Sequence, residues 1–332
     1  MALPSGLSGQ FGFRSETTYG VGVAVNRFVP LVDESVQTDI ERLESSSIIA
    51  GARVKRSSQW SPSIHRSEGD IGLELLDGTV GLLFEHMLGT VQSTSSGGGA
   101  PYTHVFTPGS LTSKSLTVQF GRPTRTGTVV PFSYLGTKVQ SWEIGLSAGE
   151  ISTLGLTVIA QSETYNTTET TGPFALQVAS YDPNVRPYTF VNGSLSFGGS
   201  DLCVRSATVS GENNLDSDRT CVGSREILEP LESDTREYSV EFEVEFGQNG
   251  QVGETVLYDR YVNGELADLV LTLESDDGSR SLTIAGRVRT DGETPNIGGK
   301  EMLTYSLSGV FLGDTSDAQA LTITAVSSDS TP

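Results

Sequence analysis

The clearest regularity in the chain is the run YSVEFEVEF, Tyr238 to Phe246, where apolar and acidic side chains alternate with a period of two. Successive strand residues point to opposite faces, so the run predicts a strand that buries Tyr238, Val240, Phe242 and Val244. Its wet face then carries Glu241, Glu243 and Glu245 as an acidic stripe. Further strands are predicted at LTVQF, VQSWEIGL and LTVIA in the first half, and at DLVLTLE, SLTIAGRV, LTYSLSGVF and LTITAV in the second. Two segments change period. GTVGLLFEHMLG puts Leu83, Met87 and Leu88 on one side of a short helix, and GETVLYDRYVNG does the same with Val256, Leu257, Tyr261 and Val262.

These elements recur in order. LFEHML at Leu83 matches LYDRYV at Leu257, an offset of 174 residues, and AGAR at Ala50 matches VGSR at Val222, an offset of 172. SLTVQFGRPTRTG at Ser115 faces SLTIAGRVRTDG at Ser281, and LTVIAQS at Leu156 faces LTITAVSS at Leu321, with offsets of 166 and 165. Collinear matches at nearly constant offset indicate a duplicated domain, and a loop-length difference absorbs the shift. The fold class read from this is mainly β: two tandem β-sandwiches or partly closed barrels, each with one short α-helix. The boundaries are an N-terminal arm at 1–27, a first domain at 28–165, a linker at 166–196 rich in Thr, Pro and Asn, and a second domain at 197–332. The first copy carries a long insertion at 90–109 that includes Gly97, Gly98 and Gly99. As a flexible loop it would expose Tyr102, Val105 and Phe106, which suits a contact with another molecule.

Composition sharpens this picture. The 332 residues contain 38 Gly, a proportion suited to short strands and tight turns. The N-terminus lacks a basic, apolar signal pattern, and the chain lacks an apolar run of membrane-spanning length, so neither export nor membrane insertion is expected. A formal charge of −20 repels nucleic-acid phosphates and disfavours DNA reading. The 21 basic residues include only the lysines Lys55, Lys114, Lys138 and Lys300, an acidic, arginine-rich balance that resembles proteins of salt-loving hosts.

Candidate chemistry is sparse. Cys203 and Cys221 flank the turn-rich TVSGENNLDSD, and a hairpin there would bring them close enough for a disulfide, with two buried thiols as the alternative. His65, His86 and His104 show no metal-ligand spacing, and neither phosphate-binding glycine loops nor hydrolase elbows occur. Catalytic, cofactor and metal sites are therefore expected to be absent. A pair of carboxylates acting as a glycosidase remains the enzymatic alternative, and a capsid-decoration or cell-surface adhesion module the structural one.

The opening GLSGQFGFRSETTYGVGVAVNRFVPLVDESV, with GDIGLELLDGTVGLLFEHMLG, YLGTKVQSWEIGL and the closing LTITAV, resembles the tail tube proteins of long-tailed phages and related archaeal viruses. That resemblance implies a non-enzymatic virion protein, assembled in the host cytoplasm, whose sheets join into an inner barrel through which viral DNA passes without specific binding. Two-domain chains would close a ring as a trimer with pseudo-sixfold symmetry, and rings would stack through the 90–109 loop and the arm. The implied partners are the chain itself, a tape measure protein, a tail terminator and baseplate or distal tail proteins. Glu241, Glu243 and Glu245 would line the bore.

Overall fold

Antiparallel pairing organises nearly every strand. A computed structural model describes residues 5–165, 168–245, 256–292, 294, 297 and 304–332. In the first half the elements are β1 (Gln10–Ser15), β2 (Arg27–Val29), β3 (Asp33–Glu34), β4 (Gln37–Glu44), β5 (Trp60–Glu74), α1 (Gly81–Leu88), β6 (Gly89–Ser96), β7 (Gly99–Pro108), β8 (Leu116–Pro123), β9 (Val129–Ser147), β10 (Thr153–Ala160) and β11 (Ser162–Tyr165). The second half contains β12 (Gly193–Phe197), β13 (Ser200–Leu202), β14 (Val204–Glu212), β15 (Glu237–Glu245), α2 (Val256–Asn263), β16 (Leu266–Glu274), β17 (Ser281–Gly292), β18 (Thr304–Phe311) and β19 (Leu321–Ser327). The protein is mainly β, and its large antiparallel sheet is not closed into a barrel.

The pairing pattern of the first half recurs in the second. The order β4-β5-β10-β9 is matched by β14-β15-β18-β17. The N-terminal part of β9 lies between β8 and β11, as that of β17 lies between β16 and β19. On the far side β1 and β2 extend β8, and β12 and β13 extend β16. The helix match found in the sequence occupies equivalent places in this scheme. The matches SLTVQF with SLTIAG and LTVIAQS with LTITAVSS do not. The first joins β8 to β17 and the second joins β10 to β19, each one strand out of step. Alternating strands resemble one another whatever their place in the sheet, so sequence similarity between two of them does not fix topology.

Two pairings sew the halves together. Ser141 to Ser147 of β9 run antiparallel to Ser206 to Glu212 of β14. The strand β7 meets β19 from Phe106 opposite Ile323 to Tyr102 opposite Ser327. The result is one continuous sheet in the order β4-β5-β10-β9-β14-β15-β18-β17. Its inner face and both helices enclose a core that includes Phe84, Tyr134, Trp142, Phe242 and Leu307.

Several expectations change here. The segment 90–109 is a regular hairpin: Gly97 and Gly98 both take positive φ and turn the chain between Ser96 and Gly99. Phe106 is fully buried and packs edge-on to Phe84 at 5.6 Å, so it belongs to the core, while Tyr102 and Val105 are half-buried. The arm is likewise not free along its length, since β1 pairs with both β2 and β8 and buries Phe11 and Phe13. Part of the linker packs on the same sheet, where the Gln119 amide donates to Ala175 O and its oxygen accepts from Gln177 N.

Candidate functional site

The features that distinguish this molecule are surfaces and seams. The strand β15 places Glu241, Glu243 and Glu245 on one face and buries Tyr238, Val240, Phe242 and Val244 on the other; Phe246 lies outside the described residues. Across the neighbouring strands the same face carries small polar side chains, with Ser206, Thr208 and Ser210 on β14 and Ser306 and Ser308 on β18. Asp70, Glu143, Glu212 and Glu237 extend the acidic character around an open trough of about 700 Å³ that spans β5, β10, β9, β14 and β15. The trough therefore crosses the seam between the halves. At one end of this face Glu245 is paired with Arg205 at 2.8 Å.

The seam beneath it is closely fitted. Gly211 lies opposite Trp142, and a Cβ at Gly211 would meet the indole at 2.4 Å, so glycine permits the ring to cross the strand pair. Between β14 and β15 the chain does not form a tight hairpin. It leaves as an excursion, residues 213–236, that lies against the first half. The buried Asn213 donates through Nδ2 to Met87 O at 3.1 Å and Val139 O at 3.0 Å. Arg236 donates to Leu88 O at 2.9 Å and caps the C-terminus of α1, where Gly89 adopts φ 106°. The buried ammonium of Lys138 donates to Leu111 O, Pro230 O and the Glu229 carboxylate at 2.6–3.0 Å. Burial lowers its pKa, and the Glu229 carboxylate opposes that shift. Elsewhere along the junction, Arg280 reaches the buried Asp77 at 2.8 Å.

This excursion also settles the premise about the cysteines. Cys203 precedes β14 and Cys221 lies within 213–236, so the segment between them is not a hairpin, and the two are not joined by a disulfide. Both are exposed. The histidines are dispersed. His86 is buried in α1, and burial, with Lys114 and Lys138 nearby, lowers its pKa to about 3. His104 bridges Ser93 Oγ and Asp329 O at 2.7 and 2.8 Å. Among the described residues no group of three His, Cys, Asp or Glu side chains is arranged to hold a metal, and no helix is long and apolar enough to cross a membrane.

Sequence reasoning missed Glu16. Its carboxylate is buried and accepts from Ser115 Oγ, Thr117 Oγ1 and the backbone N–H groups of Gly20 and Gly136, at 2.7–3.0 Å. It ties the Glu-Thr-Thr-Tyr-Gly turn after β1 to β8 and β9. Its only trace in sequence is its place within that element.

A continuous sheet sewn from two halves, with an acidic open face, leaves the family to be decided by comparison. A family model described as phage tail tube protein matches residues 6–311. The chain belongs to the phage tail tube protein family. Tail tube proteins are structural components of the virion tail that self-assemble into a tube, and the family is generally non-enzymatic. No curated protein matches the chain.

Proposed function

We propose that this tail tube protein forms rings that stack into a conduit for viral DNA, each chain supplying two sheet units to the inner wall. The observation that carries the reading is the β9–β14 pairing, which fuses two four-stranded units into one wall segment within a single chain. Among the described residues β4 has a strand on one side only, and β17 beyond Arg289 is likewise paired on one side, with β18. By the recurrence of the pairing pattern, β17 stands where β9 stands and β4 where β14 stands. A contact between β17 of one chain and β4 of the next repeats the internal seam, and repetition around an axis closes a ring without exposed borders. Two units per chain make the expected ring a trimer with pseudo-sixfold symmetry.

The acidic, serine- and threonine-rich face then lines the bore, including Glu241, Glu243 and Glu245, so that like charge keeps DNA from adhering as it slides. In this reading the hairpin tip around Tyr102 and the N-terminal residues face the adjacent ring. Tape measure, terminator and baseplate or distal tail proteins complete the tail, which assembles in the host cytoplasm. The virus is long-tailed, and the charge balance suits a salt-loving host.

Negative-stain microscopy of the purified protein tests this reading. Hollow rods are expected, whereas a monodisperse monomer at every salt concentration contradicts it. Rods of a Glu241→Lys, Glu243→Lys variant should retain added DNA at low salt while wild-type rods do not; equal retention would exclude these acids from the bore.

A further inference from the structure

We infer that the excursion between β4 and β5 is a docking arm whose receptor is the α2 face of a second copy of this chain. The inference rests on the tube reading and names the surface through which neighbouring chains grip one another.

The argument starts from an asymmetry between equivalent parts. In the second half, residues 213–236 leave the β14–β15 pair and lie on the first half, covering the C-terminal end of α1. There Asn213, Leu215 and Ile227 are buried, and Arg236 and Asn213 satisfy the carbonyls of Leu88 and Met87. In the first half, the equivalent residues 45–59 leave the β4–β5 pair and remain exposed. With the adjoining ends of β4 and β5 they carry an unusual load of uncovered apolar side chains: Leu43 is 61 % exposed, Ile48 95 %, Val54 70 % and Trp60 51 %. Exposed apolar groups scattered singly need no explanation, but a cluster on one projecting arm marks a contact surface.

The receptor shows the complementary deficit. Leu88, near the end of α1, is fully buried and its carbonyl accepts from Arg236 of the second-half excursion, whereas Val262, which occupies its place on α2, is 61 % exposed. The pattern of the sequence puts Val262 on the buried side of its helix, and the two helices differ in their surroundings: an arm bonds the C-terminal carbonyls of α1, and among the described residues none does so for α2. The side chains of Val256 and Leu257 lie outside the described residues. Leu266, at the start of β16, is also exposed. Each chain thus offers one unoccupied arm and one uncovered receptor, and the internal arm-on-helix contact supplies the template for joining them.

Cross-linking tests this directly. In a Cys203→Ser, Cys221→Ser background, Ile48→Cys chains and tagged Val262→Cys chains are mixed, assembled and treated with a short bismaleimide. A mixed-length dimer is expected only when both cysteines are present. Ile48→Asp should leave circular dichroism unchanged, since the side chain is exposed, and weaken self-association by about tenfold or more. Wild-type-like assembly of Ile48→Asp, or rods without the cross-link, would overturn the arm while leaving the tube reading intact. A cross-link in small oligomers that never form rods would support the arm and contradict the tube.

Discussion

The ammonium of Lys138, on β9 in the first half, lies 2.6 Å from the Glu229 carboxylate of the second half. Both groups sit where the 213–236 excursion meets the body. The lysine side chain is almost wholly enclosed, so removing the partner charge leaves a buried ammonium whose other acceptors among the described residues are the neutral Leu111 and Pro230 carbonyls. Glu229→Gln is therefore expected to lower stability by about 1–3 kcal/mol, read from urea denaturation. An unchanged midpoint would show that the pair contributes nothing to joining the halves. Because burial lowers the pKa of Lys138, the unfolded chain holds more protons than the folded one just below the ordinary lysine range. This group's contribution to stability consequently rises with pH through that window.

His86 gives a second pH dependence, on the acid side. It is neutral in the fold with a pKa near 3, and its Nδ1 has no hydrogen-bond partner among the described residues. Between about pH 6.5 and about pH 3 the unfolded chain takes up a proton there and the folded chain does not, so stability falls as pH falls. His86→Leu should change stability at pH 7 by no more than about 1 kcal/mol and flatten the acid limb of the pH–stability curve. An acid limb identical to wild type would show that His86 does not titrate in this way.

The hairpin at 89–108 separates two roles by residue. Phe106 fills the core against Phe84, so Phe106→Ala is expected to cost roughly 3–5 kcal/mol. Tyr102 is half-buried near the tip, and Tyr102→Ala should cost clearly less, both read from urea denaturation. Equal losses would contradict the division between a core strand and an accessible tip.

These contrasts indicate what the sequence made legible. The period-two run at β15 and the two helices were visible because burial of one face imposes a local rhythm, and the positions of Leu83, Met87 and Leu88 followed from it. The mainly β class followed in the same way. Pairings between distant strands were not visible: nothing local in Ser141 to Ser147 announces β14 as a neighbour, and similar strands invited a match one strand out of step. The arrangement around Phe106 was misread because a run of three glycines signals flexibility in sequence, whereas two of them form a tight turn in the fold. The cysteine hairpin failed for a related reason, since turn-forming residues after β14 begin a long excursion before β15 returns. Glu16 and Lys138 were hidden because a charged residue in sequence reads as surface until its enclosing partners are known.

The central claim is that sheet borders left open in one chain are filled by another in the manner of the β9–β14 seam. A cryo-electron microscopy reconstruction of assembled material at side-chain resolution tests it most directly. The expected map shows three chains per ring, β4 of each continuous with the C-terminal end of β17 of its neighbour, and the β15 acids facing the bore. A ring in which β4 remains unpaired, or in which the acidic face points outward, would contradict the account.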